Sequence, residues 1–424
     1  MTYAAVHDPA LQRRTLRVLL ASVVPAGMGM AGGFAAVAVL AEDITGSDTL
    51  AGFAAACLSI GGAITTVPLA TYMSQHGRRP GLRIGWTIAA GGAALAFLAA
   101  VVSFYPLLVI GVIGIGVGNA TNLTARYAAA DLAPDGGRAR AIGFLVWAGT
   151  VGSVLGPTVA LGPAGWVAEQ FGLPELAGPY MLSFVVFVFA AFAVDRLLHP
   201  DPLVVAGGIQ ESGDGRPKRP PLSQSFGRIW TVPAARLAVF AMMLGQAVMV
   251  GVMTMTPLHM KDGDHELRII GLVISLHIVG MYAFSPVVGW LVDRIGTHIM
   301  IAAGGIILFV GAEMASHTDP EDSAGVFTGL FLIGLGWSFG LIAGSTLLTS
   351  SFGVNERVSV QGASDLVMVG AGATAGLVSG LAVEWSSFHS LSHWSGVAAL
   401  AMVLAAGWPL VRAAFWPSST GRPA

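Results

Sequence analysis

The side chains able to do chemistry in this sequence are few, and the most telling ones fall inside long apolar runs. Asp365 lies seven residues into the run Val358–Val383, about 10 Å from its start at 1.5 Å per residue. It is the only carboxylate well inside such a run. A charge in a lipid-spanning segment costs at least ~2.5–3.5 kcal/mol on insertion scales, so it marks either function or a paired structural site. Asp365 is therefore either a protonatable coupling group or a structural carboxylate held by an arginine such as Arg357 or Arg126. His277, eight residues into Ile269–Leu291, either relays protons near neutral pH or hydrogen-bonds a neighbouring carbonyl. Asn119, Asn122 and Gln246 place amides in apolar runs. They serve either polar substrate groups or interhelical hydrogen bonds of ~0.6 kcal/mol each. Met242, Met243, Met249, Met253 and Met255 crowd one segment, with Trp337 and Trp147 on others. Methionine is adaptable and suits apolar sites of broad specificity, although Met242 and Met243 cannot share one helical face.

Other chemistry is excluded or unsupported. No Walker motif is present, so ATP does not drive the protein. A single cysteine, Cys57, rules out an intrachain disulfide and a thiolate metal cluster. The stretch HMKDGDHE collects His259, Asp262, Asp264, His265 and Glu266, but at no metal-site spacing, and reads as a solvated loop. His389 and His393 are four apart with no glutamate in a metalloprotease pattern, and Glu313 reads as a solvated residue near a helix end. No metal, no cofactor and no enzymatic activity are expected, and no basic bulk suggests nucleic acid.

The elements that position these residues follow from composition. Of 424 residues, 54% are hydrophobic and only 10% charged, and mean hydropathy is +0.74. A soluble domain carries about 25% charged residues, so the main solvent of this chain is lipid. Each crossing needs about 20 apolar residues, and twelve such runs can be read: Leu16–Ala41, Leu50–Met73, Leu82–Phe104, Leu107–Ala130, Ala141–Leu161, Tyr180–Leu198, Ala235–Leu258, Ile269–Leu291, Ile299–Ala315, Val326–Leu348, Val358–Val383 and Trp394–Phe415. The first is too long for a signal peptide and a second follows at once, so it is read as retained. With the N-terminus inside, every Lys and Arg except Lys261 and Arg268 falls in an inside loop. Both termini are then cytoplasmic. The polar stretch Pro200–Pro233, containing GDGRPKRPP, reads as a flexible cytoplasmic linker. The organisation expected is a six-helix bundle over 1–198, a linker over 199–234 and a second bundle over 235–424.

The halves repeat at an offset of 219 residues, the distance from Gly77 to Gly296. The same offset pairs Arg138 with Arg357 and Gly143 with Gly362. A duplicated six-helix unit is the parallel repeat of a known transporter architecture.

At these residues the chain resembles the major facilitator superfamily. The family's signature in the loop between helices 2 and 3 is Gly, three residues, Asp, Arg/Lys, any, Gly, any, Arg/Lys. The second half has Gly289, Asp293, Arg294 and Gly296, with Thr297 and His298 where a basic pair is usual. The first half keeps Gly77, Arg78 and Arg79 and departs at Ala70, Ser74 and Gln75. In the family that aspartate caps helix 11 and latches the outward-facing state. Ser74 can cap a helix but lacks the charge–dipole contribution, so the resemblance implies a latch weakened or moved. Gly152, Gly156 and Pro157 look like the antiporter signature of helix 5, with Ala160 and Leu161 replacing its final glycines. Gly152 and Gly156 share a face and Pro157 permits a bend. That suits a helix rocking against helix 8; close packing alone is the alternative. Ile110 stands near the place of the mid-helix arginine that drug antiporters carry in helix 4. Arg126, beside Asp131 at the inner end of helix 4, either snorkels to the interface or joins Asp131 or Asp293 in a gating charge network.

The resemblance implies an all-α integral membrane fold of twelve helices in two pseudo-symmetric halves, mostly monomeric. Helices 1, 4, 7 and 10 would line a central cavity, setting Asn119, Asn122, Gln246, Met249, Met253 and Trp337 against a small amphipathic molecule. The function expected is secondary active transport across the cell membrane by alternating access, as proton-coupled efflux. Proton-coupled uptake or uniport of a small organic solute is the alternative. A transporter-like sensor or membrane enzyme would need a signalling domain or catalytic constellation, and the sequence offers neither.

Overall fold

The computed structural model describes residues 8–209, 222–264, 267–319 and 323–415. The basic centre of the linker (Arg216, Lys218, Arg219), His265, Glu266 and Arg422 lie outside them. Twelve helices are long and apolar enough to cross a membrane, and no strand occurs among the described residues. They are α1 Pro9–Thr45, α2 Asp48–His76, α3 Arg78–Val102, α4 Tyr105–Ala130, α5 Arg138–Val159 continuing through a π-turn at Ala160–Ala164 into Gly165–Gln170, α6 Gly178–Leu197, α7 Pro233–Asp262, α8 Leu267–Tyr282 resumed as Ser285–Ile295, α9 Thr297–Ser316, α10 Ser323–Ser350, α11 Val354–Trp385 and α12 Phe388–Phe415. Wide apolar surfaces such as that of Phe184, Val185, Val188, Phe189 and Phe192 on α6 stay exposed. A lipid solvent makes such exposure favourable.

Local chemistry sets the helix ends. Asp8 caps α1 by accepting from the Ala10 amide at 2.8 Å, with Pro9 in the first turn. Ser47 caps α2 through the Leu50 amide. Gly77 and Gly296 close α2 and α8 with matching backbones, φ 101° and ψ 170° against φ 101° and ψ 154°. A positive φ of this size favours glycine over residues with a Cβ. The repeat read from sequence is thus reproduced in backbone geometry.

The chain divides into two compact units. The first holds Met1–Thr231 together with Leu348–Val367; the second holds Val232–Leu347 and Met368–Ala424. The first part of α11, including Asp365, therefore belongs with the first unit. Within unit 1, α1 packs closely on α5: a Cβ at Gly152 would strike the Gly27 backbone, and one at Gly156 would strike Ala31 and the Met28 carbonyl. Within unit 1 the glycine face of α5 is thus lined by α1. Helix periodicity tells which residues share a face but not which neighbour covers it.

The stretch Pro200–Pro233, read as flexible, is structured at both ends. A short helix spans Pro202–Val205 and an amphipathic helix spans Leu222–Thr231. Asp201 caps the first by accepting from Leu203 and Val204 at 2.9 and 3.3 Å. The second is fixed within unit 1 by Arg228, which donates to both carboxylate oxygens of Glu356 at 3.1 and 3.0 Å.

Candidate functional site

α4 and the first part of α11 meet in unit 1, and the meeting point is ionic. Arg126 Nη2 donates to Asp365 Oδ1 at 2.6 Å. The Tyr127 hydroxyl donates to the same oxygen at 3.2 Å, and Arg126 Nη2 reaches that hydroxyl at 3.0 Å. The guanidinium carbon lies 4.3 Å from the Tyr127 ring centroid, and Nη1 donates to the Leu123 carbonyl at 2.5 Å. The side chains of Arg126 and Asp365 are only 3% and 2% exposed. Withdrawal of both charges from water is repaid only through such close, multiply bonded geometry. Removal of either partner strands the other. Arg126 is thus engaged by Asp365. Asp131 pairs with another arginine.

That other arginine is Arg78, whose Nε donates to Asp131 Oδ2 at 2.8 Å and whose Nη2 donates to Gln361 Oε1 at 2.8 Å. Gln361 passes the chain on by donating to the Thr349 hydroxyl at 3.1 Å. Arg78 and Asp131 have fully buried side chains. The neighbouring Arg79 donates to the Asp195 backbone and carboxylate at 2.9 and 3.1 Å, and Arg83 joins at 3.1 Å.

The loop between α2 and α3 has a carboxylate from elsewhere in the chain at the start of α3. The Ser74 hydroxyl donates back to the Thr71 carbonyl of α2 at 2.7 Å. Serine in a helix readily bonds the preceding turn. Asp201 accepts from the Arg79 amide at 2.7 Å, in the first turn of α3, where a carboxylate meets both unpaired amides and the positive end of the helix dipole. Its carboxylate is also what a Cβ at Gly77 would strike. The glycine lost at Ala70 is likewise recovered across a contact: Ala70 fills the space opposite Gly362, where a second Cβ would collide with it.

Unit 2 holds the other candidates. Trp337 Nε1 donates to Gln246 Oε1 at 2.6 Å, and Tyr282 meets the Trp337 ring edge-on at 5.7 Å. Gly372 leaves the space that Gln246 occupies. Met249 is buried and Met253 half-buried on the same helix. Asn119 and Asn122 are half-buried in unit 1, Asn119 lying against Gly62. His277 is fully buried, its Nδ1 donating to the Leu330 carbonyl at 2.7 Å, which ties α8 to α10. In the second loop motif Gly289 is buried, and the Arg294 guanidinium lies 5.3 Å from the Trp290 ring.

Two residues read as solvated are engaged by other side chains of unit 2. Glu313 accepts from His393 Nδ1 at 2.8 Å with its side chain 20% exposed. His259 belongs to α7, is buried, and stacks on Phe388 with centroids 4.1 Å apart. Among the described residues no three His, Cys, Asp or Glu side chains are placed to hold a metal. Sequence reasoning missed Tyr127, Asp201, Gln361 and Tyr282. Only the adjacency of Tyr127 to Arg126 was a usable signal.

The family profile described as Major Facilitator Superfamily matches residues 18–376. The chain is similar to the uncharacterized MFS-type transporter YdeG of Bacillus subtilis (strain 168), 35% identical over 399 residues covering 94% of this chain and 92% of that protein. It is also similar to the riboflavin transporter RfnT of Brucella anthropi, 27% identical over 346 residues covering 82% and 83%. In fold it is similar to the crystal structure of the human organic anion transporter MFSD10 (TETRAN), with a TM-score of 0.71 and 14% identity over 94% of this chain and all of that one. With twelve apolar helices and a profile match over nearly its whole length, the chain is a multi-pass membrane protein and belongs to the Major Facilitator Superfamily of transporters.

Proposed function

We propose that the chain exports a small amphipathic organic molecule from the cytoplasm in exchange for protons, with Asp365 as the coupling group. It would reside in the cell membrane with both termini cytoplasmic, a reading supported by the distribution of Lys and Arg among its loops. The observation that carries the coupling proposal is the buried pair of Asp365 with Arg126 at 2.6 Å, capped by the Tyr127 hydroxyl. With Asp365 ionised the pair is closed and balanced. A proton taken up at the carboxylate cancels its charge and loosens its hold on Arg126, which also contacts the Tyr127 hydroxyl and ring and the Leu123 carbonyl. Loss of that proton closes the pair again. A step that alternately makes and breaks a buried ion pair can bias two conformations by the several kcal/mol that a population shift requires.

The test uses proteoliposomes with a trapped pH dye and a panel of lipophilic cations and neutral drugs, native protein against Asp365→Asn. Proton movement driven by a substrate in the native protein and lost in the variant is expected. Substrate movement without proton movement in both proteins would make Asp365 structural and remove the coupling reading.

A second reading, uptake or uniport of a planar heteroaromatic solute, is favoured by one observation. Trp337, Tyr282 and Gln246 combine two aromatic rings with an amide, and a relative of the chain is named as a riboflavin transporter. Labelled riboflavin entering proteoliposomes down its gradient, with no pH dependence, would select this reading.

A further inference from the structure

The helix Leu222–Thr231 buries one side within unit 1, and the described residues leave a second, apolar side uncovered. Ser225 and Ile229 are buried within unit 1, and Arg228 beside them holds Glu356 in a two-pronged pair and lies over the Phe352 ring. Leu222, Phe226 and Trp230 follow one another at intervals of four, so they form a single stripe along the helix. All three are exposed, Trp230 by 73%. Gln224, Gly227 and Thr231 lie toward the opposite side.

Two features place this stripe at the membrane border. Glu356 lies in the first turn of α11, a membrane-crossing helix, so the Arg228 pair pins Leu222–Thr231 to the level where α11 enters the bilayer. In addition, one residue, Val232, separates Thr231 from Pro233, where the next crossing helix begins. Large apolar and aromatic side chains at that depth, on a helix with a polar opposite face, match a helix that lies in the plane of the interface. A tryptophan at its edge matches the aromatic belt of membrane proteins.

We propose that Leu222–Thr231 is a bilayer-seated anchor, with Leu222, Phe226 and Trp230 sunk into the boundary between lipid headgroups and acyl chains while Arg228 grips the start of α11. The occupant of the stripe is the lipid of the protein's own membrane. The anchor would then link that leaflet to the helix that carries Asp365, nine residues beyond Glu356. The proposal does not depend on the direction of transport or its coupling ion.

Full-length chain with Cys57→Ser, carrying either Phe226→Cys or Gln224→Cys, would be spin-labelled and reconstituted in phosphatidylcholine nanodiscs. Collision with oxygen and with a water-soluble nickel chelate would be compared by power saturation. The expected result is oxygen exceeding nickel at position 226 and the reverse at position 224. A second measurement leaves the stripe intact in the reference protein: quenching of tryptophan fluorescence by brominated lipid, native against Trp230→Phe, with a loss of quenchable signal expected in the variant. Nickel exceeding oxygen at 226, with equal quenching in native and variant, would put the stripe in water and overturn the proposal. Shielding of 226 from both reagents would mean protein covers the stripe, and would overturn it equally.

Discussion

The two units handle buried polarity differently. In unit 1 two of the buried ties are ion pairs: Arg126 with Asp365 and Arg78 with Asp131. In unit 2 the ties among α7, α8 and α10 use an indole with an amide, an imidazole with a carbonyl, and the hydroxyls of Ser285 and Ser338 at 3.1 Å. At the repeat offset, Arg78 corresponds to Thr297, Arg126 to Ser345, Asp131 to Ser350 and Asp365 to Val146. Every member of the two ion pairs thus has an uncharged counterpart. Duplicated architecture has kept the backbone turn at Gly77 and Gly296 while concentrating charge in one unit. Carboxylate and imidazole ties can be switched by a proton; amide and hydroxyl ties cannot. On the proposed coupling through Asp365, switching would fall to unit 1, leaving packing and recognition to unit 2.

The largest expected effect breaks that asymmetry directly. Arg126→Leu strands the buried Asp365 carboxyl without its partner, and Arg78→Leu does the same to Asp131. Loss of one partner from a buried pair costs about 3–5 kcal/mol, so each variant should melt far below the native protein in detergent. Arg126→Leu combined with Asp365→Leu should recover most of the loss, because neither charge is then stranded. In unit 2, Arg294→Ala removes an exposed side chain and should change stability by no more than about 0.5 kcal/mol. Equal losses for Arg78→Leu and Arg294→Ala would erase the contrast between the two loop motifs.

A middle-sized effect tests whether the helix 5 motif serves packing. Gly156→Val puts a branched side chain against Ala31 and the Met28 carbonyl of α1. Overpacking of this kind costs about 1–3 kcal/mol. Gly162→Ala, on the same helix but with open space around it, should be close to neutral. If Gly156→Val melts like the native protein yet abolishes transport, the glycine face moves during the cycle rather than merely packing.

Much of the fold was legible because lipid imposes a simple rule. Every crossing needs about 20 apolar residues, and the twelve runs read from sequence correspond to the twelve long apolar helices. Asp365 was legible for the same reason: a carboxylate in such a run stands out, and Arg126 was among its two named arginine partners. The partners that close the network were not legible. Tyr127, Gln361 and Asp201 lie near helix ends, where polar residues are ordinary. Nothing in the sequence says that Asp201, far along the chain, returns to cap α3. Periodicity likewise gave the glycine face of α5 but not its neighbour. Glu313 and His259 were misread because proximity to a helix end was equated with solvation. Contacts within unit 2 engage both, burying His259 and leaving Glu313 partly exposed.

The smallest effect sharpens the assignment of unit 2 to recognition. Trp337→Phe keeps a ring for Tyr282 to meet but removes the N–H that Gln246 accepts from. Interhelical hydrogen bonds in membranes average about 0.6 kcal/mol, so the stability loss should be near the limit of a thermal melt. Gln246→Leu should cost a similar amount. If the tie is only structural, the double variant should lose no more than either single one, because the bond can be lost only once. If the indole and amide also meet the substrate, both single variants should raise KM by much more than so small a stability loss explains. Proton coupling measured with the pH dye should stay intact. A loss of proton coupling in Trp337→Phe would move switching into unit 2 and end the division of labour argued from the two kinds of tie.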